Sequence, residues 1–203
     1  MGALLMFPTP CRDYTDDFSE WKQQTFASLS SEMKLLISSC EDDWNNKWNE
    51  NKGSDLMFIN HANRVLPYVW LGSADSAEDK DFLKKNKISV ILNMAIECDY
   101  RAVKAGITAI RIGIEDAKMP NVGVFNKAAE IIQDAVSNKE NILVHCAAGV
   151  SRSATAVISY MMLYQKIGWE ESLEILRQHR PYVNPHPLLT RSCIRDFRDK
   201  FIP

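Results

Sequence analysis

Apolar residues recur at steps of three and four between residues 15 and 48 of the chain. That spacing is typical of an amphipathic helix or a pair of helices, since it places the apolar side chains on one face. Thr15 and the acidic residues that follow it supply an N-cap and a first turn that suits the helix dipole. Residues 49–55 are polar, as is typical of a linker. We therefore predict a mostly helical N-terminal extension at residues 1–60 and a second unit at residues 61–203.

The pattern changes beyond residue 60, where short β-branched runs alternate with helical periodicity. Runs such as SVILN are typical of buried strands. Gly168 is predicted to end one helix, and the PYVNPHP segment interrupts the chain before the last helix. Strands that alternate with helices predict an α/β fold, with a central mixed, partly parallel sheet flanked by helices. The predicted extended segments are residues 64–71, 89–93, 108–112 and 142–145, and the predicted helices are residues 77–85, 125–136, 153–165, 170–180 and 188–201.

Composition and charge argue against several classes of function. The formal net charge of −2 gives no overall attraction to nucleic acid or to an anionic membrane, so no nucleic-acid partner is predicted. No apolar run reaches the roughly 18 residues of a membrane span, and the first residues do not resemble a signal peptide. The five cysteines are odd in number and scattered, which predicts neither a disulfide framework nor a metal site. These features favour a reduced, cytoplasmic protein, with the nucleus as the alternative compartment.

The segment NILVHCAAGVSRS at residues 141–153 carries the strongest chemical signal. A buried strand is predicted to run into Cys146, a short loop follows, and a helix begins near Arg152. This order gathers free backbone N–H groups and a helix N-terminus around one point, which suits a tetrahedral oxyanion. The same surroundings favour the thiolate form of a cysteine. We therefore predict a phosphate-binding loop that contains a cysteine nucleophile.

Each residue type in this loop suits a step of phosphoryl transfer. Cys146 is the predicted nucleophile, which carries the phosphoryl group covalently. Arg152 offers a planar pair of donors to two phosphate oxygens, a geometry that lysine lacks. Gly149 allows the loop to turn, and the Ser153 hydroxyl is predicted to stabilise the sulfur as a leaving group. The residues predicted to line the phosphate are Ala147, Ala148, Gly149, Val150, Ser151 and Arg152.

The alternative for Cys146 is a small core residue at the end of a buried strand, which is the commoner fate of an isolated cysteine. A cysteine and an arginine at this spacing also occur together by chance. The combination of a strand, His-Cys, a glycine and Arg-Ser at a helix start decides in favour of the phosphate loop. His145 is predicted to be buried and hydrogen-bonded rather than to shuttle protons.

The reaction also needs an acid for the leaving oxygen, on an exposed loop that faces the cysteine. The loop GIEDAKMP follows a predicted buried strand and offers Glu115 and Asp116. The alternative for both is an ordinary solvated carboxylate, and the residue pattern does not choose between them.

At these residues the sequence resembles a known family. HCAAGVSRS resembles the HCxxGxxRS signature of the cysteine-based protein tyrosine phosphatases, and from about residue 62 onward the chain looks like a dual-specificity phosphatase domain. LPYVWLGSADSA is similar to the first strands of that domain, SVILNMAIE to its next strand, and ATAVISYMM to the helix after the loop. The resemblance implies the cysteine-phosphatase fold and a hydrolysis that uses no metal and no cofactor.

The resemblance also selects the acid. The general acid of the family is an aspartate about thirty residues before the cysteine, which matches Asp116 rather than Glu115. It would protonate the leaving oxygen and then activate water against the phosphocysteine. The chain departs from the family where His186 replaces the usual asparagine of the last loop, and where Ser192 and Cys193 replace glutamine and leucine. These positions are expected to support the catalytic loop from behind, so stability or rate is expected to differ from that of relatives.

We predict a signalling protein phosphatase that acts on phosphotyrosine and on phosphoserine or phosphothreonine, so its partner is a phosphorylated protein. One alternative keeps the chemistry on a phosphoinositide, an RNA 5′-phosphate or a phosphoglucan, although phosphoinositide members of the superfamily tend to carry lysines in the loop. The other alternative is a non-catalytic phosphoprotein-binding module, a class that typically loses the cysteine. Residues 1–60 are predicted to pack on the catalytic domain, with self-association through their helix as the alternative.

Overall fold

The computed structural model describes residues 12–13, 61–98 and 106–201. The strands among them are β1 (Arg12–Asp13), β2 (Asn63–Leu66), β3 (Val69–Gly72), β4 (Ile88–Ala95), β5 (Thr108–Ile114) and β6 (Asn141–His145). They form one sheet in the order β1-β5-β4-β6-β3-β2, in which β2 and β3 are antiparallel and the other neighbours are parallel. The predicted mixed, partly parallel sheet is therefore confirmed.

Helices cover both faces of this sheet, as predicted. The described helices are α1 (Ala74–Glu78), α2 (Lys80–Lys85), α3 (Val124–Ser137), α4 (Arg152–Tyr160), which continues as a π-helix (Met161–Gln165), α5 (Trp169–His179) and α6 (Pro187–Phe201). In the part of the chain that the structure describes, no helix combines the length and the apolar character needed to cross a membrane.

Each face of the sheet carries an apolar core, because successive strand residues point in opposite directions. The two cores differ in size. Along β4, Val90, Leu92 and Met94 belong to the larger apolar cluster, which also contains residues of α3, α4, α5 and α6. Ile91 points to the opposite face, where it packs in a smaller cluster with Leu83 of α2. Burial of each such aliphatic side chain contributes about 1.5–3 kcal/mol, so the larger cluster supplies most of the stability.

Helix α4 lies entirely inside the larger core, and all nine of its residues are buried. Its polar side chains find partners there: the Ser159 hydroxyl donates to the carbonyl oxygens of Phe125 at 3.1 Å and Ala156 at 2.6 Å. Arg152 and Ser153 form the first turn of this helix. Because the helix is enclosed by packed side chains, its N-terminus presents these two residues in a fixed position.

The parallel strands bring three connecting segments to one edge of the sheet. The register pairs Asn93 of β4 with His145 of β6, and Ala95 of β4 with Ile114 of β5. The carboxyl ends of β4, β5 and β6 therefore lie side by side. In open α/β sheets this edge is where ligands usually bind.

Two predicted elements are each divided in two by the structure. Residues 64–71 were predicted as one extended segment, but β2 and β3 form an antiparallel hairpin whose turn holds Tyr68 at φ 66°. Residues 77–85 were predicted as one helix, but Asp79 separates α1 from α2. The Asp79 carboxylate accepts from the backbone N–H groups of Asp81 and Phe82, so it caps α2 and starts a new helix.

The helix predicted at residues 153–165 is confirmed as α4 and its π-helical continuation, but Gly168 does not end it as predicted. Lys166, at φ 61°, closes the π-helical continuation of α4, whereas Gly168 is extended and precedes α5. The predicted extension helix at residues 15–48 and the boundary near residue 60 lie outside the described residues. The division into two units and self-association therefore stay predictions.

Candidate active site

The candidate nucleophile lies in the loop between β6 and α4, and its side chain is only 2% exposed. The Sγ atom of Cys146 accepts a hydrogen bond from the backbone N–H of Gly149 at 3.3 Å. The hydroxyl oxygen of Ser153 lies 3.2 Å from the same sulfur. The structure thus brings Cys146 and Ser153 together at the first turn of α4, where backbone N–H groups are free to bind an anion.

The turn of this loop requires a glycine at one position. Gly149 has φ 67°, in the left-handed region, and a Cβ atom there would lie 2.3 Å from the carbonyl oxygen of Gly72. The same Cβ would lie 2.9 Å from Nη2 of Arg180. Any side chain at this position would therefore strain the backbone and push the loop away from β3.

Arg180, immediately after α5, holds the outer side of the loop. This side chain is 1% exposed and donates to the carbonyl oxygens of Gly149 at 2.8 Å and Ala148 at 3.0 Å. It also donates to the carbonyl oxygen of His61 and to Oδ1 of Asn63. Burial lowers the pKa of Arg180, although the nearby charge of Cys146 opposes this shift. By fixing two loop carbonyls, Arg180 ties the loop to the start of β2.

Backbone hydrogen bonds from two further segments support the loop. The backbone N–H of Ala74 donates to the carbonyl oxygen of Ala147 at 3.0 Å, and that of Asn184 donates to the carbonyl oxygen of Val150 at 2.9 Å. Ala147 is exposed, whereas Ala148 and Val150 are half-buried. The mouth of the loop is therefore open and lined by uncharged side chains.

The departures from the family pattern have visible contacts. The backbone N–H of His186 donates to the Ser151 hydroxyl at 3.0 Å, so the amide of this position supports the loop. Ser192 and Cys193 are buried on α6. The Ser192 hydroxyl accepts from Arg195 at 2.7 Å, and Arg195 contacts the loop that carries the candidate acid.

Arg152 is bound to a carboxylate on the loop after β4. Its Nη1 and Nη2 atoms donate to the two carboxylate oxygens of Glu97 at 2.6 and 2.5 Å, and Nη1 also donates to the carbonyl oxygen of Ile114 at 3.1 Å. Hydrogen bonding to Arg152 lowers the pKa of Glu97, while partial burial opposes the shift. Burial alone would lower the pKa of Arg152, but Glu97 and the charges of Cys146 and Asp116 raise it above its ordinary value.

The Nε donor of Arg152 is not used by these contacts. This atom is buried and has no hydrogen-bond partner among the described residues. A buried unpaired donor on a charged group costs free energy, so this atom is well suited to bind an anion. The Nε and Nη2 edge of a guanidinium matches two oxygens of a phosphate. Glu97 and a phosphate therefore fit on different edges of the same side chain.

The two candidate acids, Asp116 and Glu115, have different surroundings. An Oδ2 atom of Asp116 lies 3.7 Å from Nη2 of Arg152, and its other oxygen accepts from the backbone N–H of Ala117. Glu115 instead forms an ion pair with Lys118, and both of those side chains are exposed. Asp116 is thus the loop carboxylate that lies beside Arg152.

His145 lies behind the nucleophile and is 2% exposed. Its Nδ1 atom is 3.2 Å from the carbonyl oxygen of Cys146, which makes Nδ1–H the donor. Burial lowers the pKa of His145 to about 4, so the imidazole is neutral at neutral pH. This agrees with the interpretation of His145 as a buried, hydrogen-bonded residue.

Sequence reasoning missed Glu97 and Arg180. Glu97 follows the carboxyl end of a buried strand, and carboxyl ends of parallel strands meet at one edge, so that signal was available. Arg180 gave no comparable signal, because arginine side chains are mostly exposed in folded proteins. Among the described residues, no group of three or more His, Cys, Asp or Glu side chains could hold a metal ion.

Sequence comparison with known proteins identifies a family that matches this chain. The sequence model described as "Dual specificity phosphatase, catalytic domain" matches residues 69–198. Dual specificity protein phosphatase 15 of Mus musculus is 38% identical over 129 residues, which are 63% of this chain and 54% of that protein. Dual specificity protein phosphatase 22 of Homo sapiens is 34% identical over 128 residues, which are 63% of this chain and 68% of that protein. The chain thus spans about half the length of the mouse relative.

Solved structures agree with the fold. The crystal structure of DUSP15 superposes with a TM-score of 0.62 at 33% identity, covering 68% of this chain and 87% of that chain. The crystal structure of human tyrosine phosphatase-like serine/threonine/tyrosine-interacting protein gives a TM-score of 0.65 at 21% identity, covering 70% and 99%. At that lower identity the likeness concerns the fold alone. The family model matches residues 69–198, which include the segments that follow β4, β5 and β6 and meet around Cys146.

Proposed function

Because the chain belongs to the dual specificity phosphatase catalytic-domain family, we propose that it is a protein phosphatase. Its substrates are phosphotyrosine and phosphoserine or phosphothreonine side chains, and the reaction passes through a phosphocysteine at Cys146. The observation that supports this most is the contact of the Cys146 sulfur with the first turn of α4, the same turn that carries the unpaired Nε donor of Arg152. A cysteine that only filled the core would need no such donors.

In the first step the Cys146 thiolate attacks phosphorus, and the bond between phosphorus and the leaving oxygen breaks. Arg152 and the free backbone N–H groups of the loop bind the three equatorial oxygens, whose charge they balance. Asp116 donates its proton to the leaving oxygen, so the product leaves as a neutral alcohol or phenol. The position of Asp116 beside Arg152 supports this role.

In the second step a water molecule attacks the phosphocysteine. Asp116, now a carboxylate, accepts a proton from that water, and the bond between sulfur and phosphorus breaks to release inorganic phosphate. The Ser153 hydroxyl, 3.2 Å from the sulfur, donates to the departing thiolate. The loop residues Ala147, Ala148, Gly149, Val150 and Ser151 surround the phosphate in both steps.

The charges at the mouth favour a protein substrate over a polyanionic ligand. The side chains of Glu97 and Asp116, which both approach Nη2 of Arg152, are 50% and 51% exposed. A phosphoinositide or an RNA carries several negative charges, which these carboxylates would repel. A peptide with one phosphorylated side chain places its charge on Arg152 and the loop alone. Action in the cytoplasm or the nucleus, in signalling, belongs to the same proposal.

The experiment compares Asp116→Asn with Glu115→Gln as its matched control. On a phosphotyrosine or phosphoserine peptide, Asp116→Asn should lower kcat by about 10²–10⁴, the usual worth of a positioned proton donor. The loss should shrink for dinitrophenyl phosphate, whose leaving group needs no proton. Glu115→Gln should be mild, because that side chain pairs with Lys118 at the surface. If Glu115→Gln instead loses most of its activity and Asp116→Asn stays active, the general acid is Glu115.

Nucleophile and substrate class are tested on the same preparation. Cys146→Ser should reduce turnover by at least about a thousandfold while substrate still binds. Vanadate should inhibit, and EDTA should leave the rate unchanged. A phosphoinositide or an RNA 5′-phosphate that is hydrolysed faster than every phosphopeptide would contradict the protein-substrate assignment.

A further inference from the structure

Two charged side chains are buried next to each other on α6. The side chains of Arg195 and Asp196 are 3% and 0% exposed, and the Nη2 atom of Arg195 lies 3.0 Å from Oδ1 of Asp196. Burial of a charge costs several kcal/mol unless it is paired and hydrogen-bonded. Burial accordingly raises the pKa of Asp196 to about 6, although Arg195 and backbone N–H groups oppose the shift. Two apolar side chains at these positions would not carry this cost. The charged side chains therefore call for a specific role, which their contacts indicate.

Both side chains hydrogen-bond to the backbone between α3 and the exposed loop that carries Asp116. We call this loop, residues 115–119, the acid loop. Oδ2 of Asp196 accepts from the backbone N–H of Gly123 at 2.9 Å, and the N–H of Phe125 also hydrogen-bonds to this carboxylate. Nη2 of Arg195 donates to the carbonyl oxygen of Pro120 at 3.3 Å. Asp196 thus serves as the N-terminal cap of α3, where Gly123 offers no side chain.

The acid loop lies between two carbonyl groups that arginines hold. Residues 115–119, which include the candidate acid, are all exposed and have little packing to fix them. At the upstream end, the carbonyl oxygen of Ile114 accepts from Arg152 at 3.1 Å. At the downstream end, the carbonyl oxygen of Pro120 accepts from Arg195. The path of five exposed residues is therefore set by its two ends.

We propose that Arg195 and Asp196 are a positioning pair for the acid loop. Asp196 fixes the start of α3 and orients Arg195, Arg195 fixes the end of the loop, and together they hold Asp116 against the leaving oxygen. Neither side chain touches the substrate. This inference rests on the proposed function, since it requires that Asp116 is the general acid.

The test separates protonation of the leaving group from general damage to the fold. Arg195→Lys keeps a charge but loses the planar contact with Pro120, and Asp196→Asn keeps the shape but loses the charge. For each variant, kcat is measured on a phosphoserine or phosphotyrosine peptide and on dinitrophenyl phosphate, together with stability in urea. Ile131→Val, at a buried position of α3 six residues after Phe125, is the control for a modest loss of stability.

Each positioning variant should lose about ten- to hundredfold in kcat on the peptide, the effect of a small misplacement of a reacting group. Turnover of dinitrophenyl phosphate should stay within about twofold, and Ile131→Val should retain both activities. In an Asp116→Asn background the same substitutions should have no further effect on the peptide rate, since no acid is left to position.

Two results would overturn the inference in different ways. Equal losses on both substrates, which persist in the Asp116→Asn background, would mean that the pair only stabilises the fold. If Asp116→Asn itself shows no dependence on the leaving group, the acid assignment is wrong and the positioning role falls with it. Should Asp196→Asn fail to fold, Arg195→Lys alone decides, because it keeps the charge that pairs with Asp196.

Discussion

His145 leads to a prediction about acid stability, because a neutral imidazole is buried beside the catalytic loop. It is 2% exposed and its Nδ1–H donates to the Cys146 carbonyl oxygen. Burial lowers the pKa of His145 from 6.5 to about 4. Between those pH values the unfolded chain binds a proton that the folded chain excludes. Stability from this residue is therefore fully present above about pH 6.5 and is lost as the pH falls towards 4.

The size of this loss follows from the two pKa values. It amounts to about 2 kcal/mol at pH 5 and about 3 kcal/mol at pH 4, which is a large fraction of the stability of a typical domain. Asp196 acts in the opposite direction over an overlapping range, because burial raises its pKa to about 6 and the folded protein holds that proton more tightly. The pH dependence of the whole protein mixes both contributions, so a variant is needed to isolate His145.

The perturbation is His145→Asn, whose amide N–H can still reach the Cys146 carbonyl oxygen but does not titrate. Free energies of unfolding in urea are measured for both proteins at several pH values from 7 to 4. At pH 7 the variant should be less stable by about 1–3 kcal/mol, since the imidazole leaves a cavity. This difference should fall by about 2 kcal/mol at pH 5 and invert or nearly vanish at pH 4. Asp196 cancels in the comparison. Parallel stability curves would refute a depressed pKa at His145.

Three further substitutions test the loop and its supports. Gly149→Ala, which forces a Cβ to 2.3 Å from the Gly72 carbonyl oxygen, should cost at least about a hundredfold in kcat while circular dichroism stays native; near wild-type activity would contradict the described loop. Arg180→Lys cannot reach all four acceptors and should lower the free energy of unfolding by about 2 kcal/mol or more, as measured in urea; an unchanged value would mean that those contacts are dispensable. Glu97→Gln should weaken inhibition by vanadate about tenfold, because Arg152 loses the carboxylate that orients it; tighter inhibition would show instead that Glu97 competes with phosphate.

The sequence was most informative about elements whose signal is local. The strand at residues 89–93 and the helix at residues 125–136 were located within about two residues, since each has a clear hydrophobic period of its own. Residues 64–71 are largely apolar on both sides of Pro67, so the reversal at Pro67 and Tyr68 was included in one extended segment. The helix break at Asp79 was also missed, although an aspartate is a good N-cap, because helical periodicity continues on both sides.

The loop around Cys146 could be proposed from sequence because the chain supplies it in one contiguous stretch. Strand, cysteine, glycine, arginine and helix follow one another, and each residue type has a chemical reason to be there. The choice of Asp116 over Glu115 depended on resemblance, since two adjacent carboxylates look alike until the path of the loop is known. That path is set by contacts at Ile114 and Pro120, and the partners in both contacts are distant in sequence.

The groups that aim the chemistry are therefore spread over the whole chain, although the nucleophile is not. Glu97 follows β4, Arg180 follows α5, and Arg195 and Asp196 lie on α6, yet each fixes an atom close to Cys146 or to the acid loop. The nucleophile loop is held by Arg180 and by hydrogen bonds from the backbone N–H groups of Ala74, Asn184 and His186. In the proposed mechanism, Asp116 also needs the contacts that α6 makes at the end of the acid loop. Protonation of the leaving group then depends on the docking of the last described helix, although that helix contributes no residue to the phosphate-binding loop.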